Sequence, residues 1–161
     1  MTEIFASNPF NLLPHLAALA AAYLLALPIG WNREKEERSA GLRTFPLVAI
    51  ASCGFIQAAE SMVANDPEAM ARIVEGLITG MGFIGGGAIL RLEDSVKGTA
   101  TAASLWSTGA IGTAVGLGSY DVAIVLALAT MITLFVLSPL KPPEAERAKN
   151  EAKEAEAAAE G

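Results

Sequence analysis

Two stretches in the second half of the chain decide its class. Residues 99–117 read TATAASLWSTGAIGTAVGL and residues 122–140 read VAIVLALATMITLFVLSPL, and neither contains a charged residue. A helix on the surface of a soluble bundle keeps a polar stripe toward water, and neither stretch shows one. A helix that crosses a bilayer needs about 20 mainly apolar residues. Both stretches are therefore predicted to be membrane spans.

Working outward, three more stretches have this character. The further predicted spans are residues 12–31, 44–63 and 73–90. The whole chain has 161 residues, of which 53% are hydrophobic and 17% charged, and its mean hydropathy is +0.45. We therefore predict an all-α polytopic membrane protein. Residues 1–141 form a bundle of five transmembrane helices, and residues 142–161 form a charged tail rich in Ala, Glu and Lys that is disordered or a marginal helix.

Composition also disfavours several function classes. The net charge of −6 argues against a nucleic-acid partner. The sequence offers no His/Cys cluster of the kind that binds zinc or iron, and His15 alone is more typical of packing than of catalysis. We expect neither an enzyme nor a resident cofactor. Mg²⁺ is left open as a ligand or substrate.

The basic residues predict the orientation, because they mark cytoplasmic loops. With five spans, ten of the eleven fall on one side, and Arg72 is the exception. This places the N-terminus outside and the C-terminus in the cytoplasm. The outer side is acidic, and its carboxylates include Glu60 and Glu75. They are either ordinary solvated charges or a mouth that attracts cations.

Small residues recur at four-residue intervals in spans three and four. Such faces allow close helix contact in lipid, which predicts tight packing between these two spans or across a dimer. The alternative is a break or wide turn at Gly85–Gly87 in span three, which would expose backbone carbonyls to a cavity as in transporters. The predicted packing residues are Gly76, Gly80, Gly82, Gly85, Gly86, Gly87, Thr101, Ser104, Trp106, Gly112 and Gly116.

Polar residues collect at the cytoplasmic ends of the spans. The predicted cluster consists of Arg33, Glu34, Arg38, Arg43, Thr44 and Asp94. One reading is contact between the arginines and anionic lipid headgroups. The other is an inner polar cluster in which Arg33 or Arg43 pairs with Glu34, Glu93 or Asp94.

Three motifs follow one another along the chain. The first runs from Gly30 to Thr44 and contains GWNRE and RSAGLRT. The second is GFIGGGAI at residues 82–89. The third contains VKG at 96–98, TAASLW at 101–106 and GAIG at 109–112. In this order they resemble the signature motifs of a known family, the MgtC/SapB membrane proteins, and the resemblance covers about residues 12–140.

The resemblance implies a bacterial inner-membrane protein with a five-helix domain, linked to growth at low Mg²⁺ and survival inside host cells. It implies action by restraining membrane machinery, including the F-type ATP synthase. The family often has an acidic residue where Asn32 stands, and virulence-type members add a soluble C-terminal domain that the short tail here does not resemble.

Two functions follow as hypotheses. The first is a non-enzymatic regulator that supports Mg²⁺ homeostasis through helix contacts with a membrane partner. The second is a cation transporter or channel that acts as an oligomer. A homodimer is expected under either hypothesis, since five helices form a small bundle.

Overall fold

The computed structural model describes residues 12–35, 40–63, 66–91 and 96–137. Its helices are α1 (Leu12–Lys35), α2 (Thr44–Val63), α3 (Pro67–Gly87), α4 (Thr99–Gly116) and α5 (Tyr120–Leu137). The predicted helical class, with five helices, is confirmed. A small element was missed: β1 (Leu90–Arg91) and β2 (Val96–Lys97) form an antiparallel pair between α3 and α4. The predicted tail at 142–161 lies outside the described residues.

Helix α3 begins six residues earlier than the predicted span. The Oδ1 atom of Asp66 accepts hydrogen bonds from the backbone N–H groups of Glu68 (3.1 Å) and Ala69 (3.0 Å). This is an N-cap, and Pro67 follows at the first helical position, where its missing N–H costs little. Hydropathy placed the start at residue 73 because it does not register a polar first turn.

The glycine run at the end of α3 does not break the helix. Helix α3 continues through Gly87, and the N–H groups of Ala88 and Ile89 bond the carbonyls of Gly85 and Gly86, each at 3.1 Å. No break therefore lies inside the run, but α3 ends at Gly87, three residues before the predicted end of span three at residue 90. Gly98, before α4, has φ +89°, and a Cβ there would overlap the carbonyl oxygen of Ala88. Glycine is required at this position to close the hairpin.

Helix α4 is the centre of the bundle and contacts the other four helices. Its buried residues pack with Ile29 of α1 and Phe45 of α2, both fully buried. Helices α3 and α5 lie at the periphery and bury few residues. By length and composition, α1 and α5 could each cross a bilayer among the described helices, whereas the apolar part of α2, residues 44–60, is shorter.

Candidate functional site

The last turn of α1 carries a buried cation. The Arg33 side chain is 2% exposed, and its Nε and Nη2 atoms donate to Oδ1 of the adjacent Asn32 at 3.1 and 2.7 Å. A buried guanidinium is expensive unless acceptors surround it. Asn32 is itself 7% exposed, so the amide oxygen supplies an acceptor where the resemblance expected an acidic side chain.

The next residue ties α1 to the turn that begins α2. The Oε2 atom of Glu34 accepts a hydrogen bond from the backbone N–H of Leu42 at 3.0 Å. A Cβ at Gly41 would overlap the Glu34 carboxylate, so a larger residue there would displace this side chain and its bond to Leu42. Gly30 also lies near this turn, with a built Cβ 3.2 Å from the carbonyl oxygen of Gly41. We call Asn32, Arg33, Glu34 and residues 40–42 the inner junction.

The predicted polar cluster is only partly assembled among the described residues. Arg33 and Glu34 lie in the inner junction, and Thr44 is the first residue of α2. The Arg43 side chain is exposed and lines a groove instead. Arg38 and Asp94 lie outside the described residues, as does Glu93, so the expected pairing with those acids stays a prediction. The bonds found for Arg33 and Glu34 go to an amide oxygen and a backbone N–H.

The small face of α4 packs mainly on α2 rather than on α3. A Cβ at Gly112 would overlap the carbonyl oxygen of Ala49, and one at Gly116 would lie 2.8 Å from Cβ of Ile56. The hydroxyl of Ser104 bonds the carbonyl of Ala100 in its own helix at 2.6 Å. A buried hydroxyl thus needs no partner on another helix, and the two helix backbones can approach closely. Thr101, one of the predicted packing residues, is also buried.

Most of the α3 glycines do not contact another helix of this chain. Gly85 approaches Ala102 of α4, with a built Cβ 3.4 Å from the carbonyl oxygen. A Cβ at the other predicted positions meets no atom within 4 Å of those described: Gly76, Gly80, Gly82, Gly86 and Gly87. Among the described residues, these five glycines therefore make no close contact with α4, and packing across a dimer stays a prediction. Trp106, one of the predicted packing residues, is 48% exposed and lines a cavity between α3, α4 and α5.

The acidic candidates lie apart from one another. Glu60 near the end of α2 and Glu75 in α3 are both exposed, and neither lines the cavity between α2 and α3 or the cavity between α3, α4 and α5. The described part of the chain contains no group of three or more His, Cys, Asp or Glu residues that could hold a metal ion. His15 is exposed in the first turn of α1.

Sequence reasoning missed three contacts that shape the bundle. Asn32 was noted only as a departure from a family pattern, yet it bonds Arg33. The hydroxyls of Ser107 and Thr130 lie 2.5 Å apart and join α4 to α5. Gly109 accommodates the Met81 side chain of α3, which a Cβ would meet at 2.8 Å. Of these three contacts, only the one at Gly109 had a signal in the sequence, because a tight contact often requires a glycine.

Comparison with known proteins identifies the relatives of this chain. The family model described as MgtC family matches residues 19–142. Protein MgtC of Salmonella typhimurium is 40% identical over 121 residues, which are 75% of this chain and 50% of that protein. Protein MgtC of Brucella abortus is 38% identical over 131 residues, or 81% and 53% of the two chains.

An uncharacterized protein of Synechocystis is 36% identical over 125 residues, which are 78% of this chain and 53% of that protein. No solved structure matches. The chain spans about half the length of these curated relatives. The match nevertheless covers most of this chain, including the inner junction, the α3 glycines and α4, and the chain belongs to the MgtC family.

Proposed function

We propose that this chain is a multi-pass protein of the bacterial inner membrane whose five helices cross the bilayer. Helices of 18 to 24 residues rise about 27–36 Å, which matches a hydrocarbon core of about 30 Å. Large apolar side chains point away from the bundle, among them Leu24 (62% exposed), Phe83 (87%) and Val125 (64%). An apolar surface of this kind is uncommon on soluble monomers and suits contact with lipid.

The proposed orientation places the inner junction on the cytoplasmic side. Lys35 lies over the Trp31 ring at 5.4 Å from its centroid, a combination typical of the membrane interface. Because Cys53 is the single cysteine, a Cys53→Ser background allows single cysteines to be placed at Lys35 and Glu68. An impermeant maleimide added to right-side-out membrane vesicles should label Glu68→Cys and not Lys35→Cys. The reverse pattern would contradict the orientation, and labelling of both would contradict the spans.

The function that we propose is support of adaptation to low Mg²⁺ by regulation of a membrane partner. The observation that carries it is the unpartnered side of α3. Glu75, Thr79, Gly82 and Gly86 lie within one 60° sector of the helix at 100° per residue, and all four are exposed. We call these residues the outward α3 face. A face with two glycines four residues apart is a contact surface for another transmembrane helix.

The second candidate is transport of a cation by an oligomer. Glu75 favours it, because a dimer formed through the outward α3 face would bring two such carboxylates together. An acidic residue within a span is costly and marks an ion pathway in many transporters. A regulator would use the same carboxylate to pair with a basic residue of its partner.

Growth at low Mg²⁺ and Mg²⁺ flux, both measured on the same variants, distinguish the regulator from the transporter. The chain should support growth at low Mg²⁺ in a bacterium that lacks its own MgtC-family gene. Gly82→Leu should abolish this support by blocking the outward α3 face, whereas the matched Gly87→Leu should retain it. Under our proposal, proteoliposomes containing the purified chain show no saturable Mg²⁺ flux.

Saturable flux that Glu75→Gln removes and Glu68→Gln retains would overturn the regulator and establish transport. For the regulator, a crosslinker at residue 82 should capture the partner. An F-type ATP synthase is the first candidate to test, from the family resemblance. Growth support that persists in Gly82→Leu would contradict the use of this face.

A further inference from the structure

An apolar groove runs along the side of the bundle between α2 and α3. Its volume is about 860 Å³, and it is open along one side. Its walls include Leu47 and Phe55 of α2 and Ile84 of α3. From Thr44 to Met62, α2 rises about 27 Å at 1.5 Å per residue. The groove therefore extends over most of the thickness of a bilayer.

The groove exists because α3 presents glycines to it. Gly76 and Gly80 line the groove, and a Cβ at either position would meet no described atom within 4 Å. Larger side chains there would fill the gap beside Leu47 and Phe55. Glu75 lies outside the groove, so the outward α3 face and the groove are different surfaces.

One end of the groove carries its charge. Arg43 is the single ionisable residue among those that line it, and the Thr44 hydroxyl is adjacent. Among the described residues, no hydrogen bond or ion pair engages the Arg43 guanidinium, in contrast to Arg72, which is 2.9 Å from Glu68. A long apolar groove that ends at a guanidinium complements an amphiphile with an anionic head.

The chemistry of the groove favours one kind of occupant. Its lining is apolar along about 27 Å, a length that suits an extended acyl chain. Its single ionisable residue, Arg43, lies at one end, where the anionic head of the same molecule would meet it.

We propose that this groove is a binding site for an anionic phospholipid. Its phosphate lies at the Arg43 guanidinium and the Thr44 hydroxyl, and one acyl chain lies between α2 and α3. The inference rests on the proposed membrane placement and is independent of the role in Mg²⁺ adaptation. It assigns to Arg43 a lipid phosphate as its ligand, and the residues of the inner junction have no part in this site.

Native mass spectrometry of the purified chain tests the site. The chain is titrated with phosphatidylglycerol or with phosphatidylcholine of the same acyl chains. The chain should retain phosphatidylglycerol in preference, and Arg43→Gln should reduce this preference about fivefold. The matched control is Arg72→Gln, because Arg72 lies near the start of α3, away from the Arg43 end of the groove. This substitution should leave the lipid preference unchanged.

Two glycine variants test the acyl chain. Gly80→Leu should reduce retention of both lipids, because its side chain occupies the groove. Gly82→Leu, on the outward α3 face, should retain both. Equal losses from Arg43→Gln and Arg72→Gln would overturn the site in favour of general surface charge. A dimer that Gly80→Leu dissociates, with no change in lipid retention, would overturn it in favour of a protein interface.

Alkaline carbonate extraction of membranes distinguishes failure of the proposed lipid site from failure of the proposed membrane placement. A chain that stays in the membrane but shows no headgroup preference contradicts the lipid site alone. A chain released by carbonate contradicts the membrane placement and, with it, the lipid site.

Discussion

Gly112 of α4 lies so close to Ala49 of α2 that a Cβ at position 112 would overlap the Ala49 carbonyl oxygen. Backbone atoms cannot rotate away as a flexible side chain can, so this contact fixes the distance between the two helices. The central position of α4 depends on it.

The first prediction tests this contact. Gly112→Ala should reduce the free energy of unfolding by about 1–3 kcal/mol, because the helices must separate to admit the methyl group. The matched control is Gly82→Ala, also inside a helix but with no neighbour within 4 Å among the described atoms. It should be neutral or stabilising by up to about 1 kcal/mol. Thermal unfolding in detergent measures both, and equal effects would contradict the close approach.

The second prediction concerns the buried guanidinium. Asn32→Leu removes the acceptor of two Arg33 hydrogen bonds, which should destabilise the chain by about 1.5–3 kcal/mol. Asn32→Asp keeps an acceptor and adds a compensating charge, so it should be at least as stable as the parent. Denaturation in mixed micelles ranks the three proteins. A stable Asn32→Leu variant would mean that other groups alone satisfy Arg33.

The third prediction concerns the tie between α1 and α2. Glu34→Ala removes the acceptor of the Leu42 N–H and should cost about 1 kcal/mol. Gly41→Ala should act in the same direction, since its methyl group displaces the same carboxylate. Glu60→Ala, an exposed glutamate in a helix, serves as the control. Hydrogen exchange of the Leu42 amide should quicken in the first two variants and stay unchanged in the control.

The fourth prediction concerns the contact between α4 and α5. A double-mutant cycle of Ser107→Ala and Thr130→Val should give a coupling of about 0.6 kcal/mol, as for other hydrogen bonds between membrane helices. Thr133 provides the control, because its hydroxyl bonds the carbonyl of Ala129 in its own helix. Thr133→Val should show no coupling with Ser107→Ala.

Several features could be read from local sequence. The helices of residues 44–63 and 99–117 were placed within one residue of their ends, because apolar runs bounded by turn residues reflect burial or lipid contact directly. The start of α3 was misplaced by six residues, since the cap at Asp66 and a polar first turn lie outside an apolar window. The hairpin after α3 was missed because strands of two residues leave no periodic pattern.

The site was less predictable than the fold. The sequence grouped Arg43 with Arg33, yet one side chain lies in a groove and the other is buried. Successive residues along a helix point about 100° apart. Sequence spacing near a turn therefore does not specify the direction in which an arginine side chain points.

By itself, the sequence determined the helical class, the five helices of the described residues and the four-residue spacing of small residues in α3 and α4. Hydropathy and glycine spacing are properties of the local sequence, and they do not depend on what the helices pack against. Only the tertiary structure decided which helix fills each small face. It put α2 against Gly112 and Gly116, and it left Gly76, Gly80 and Gly82 of α3 with no described atom within 4 Å of a built Cβ. A glycine face permits close approach by any helix, so the choice of partner depends on the connections and on the shapes of all five helices together.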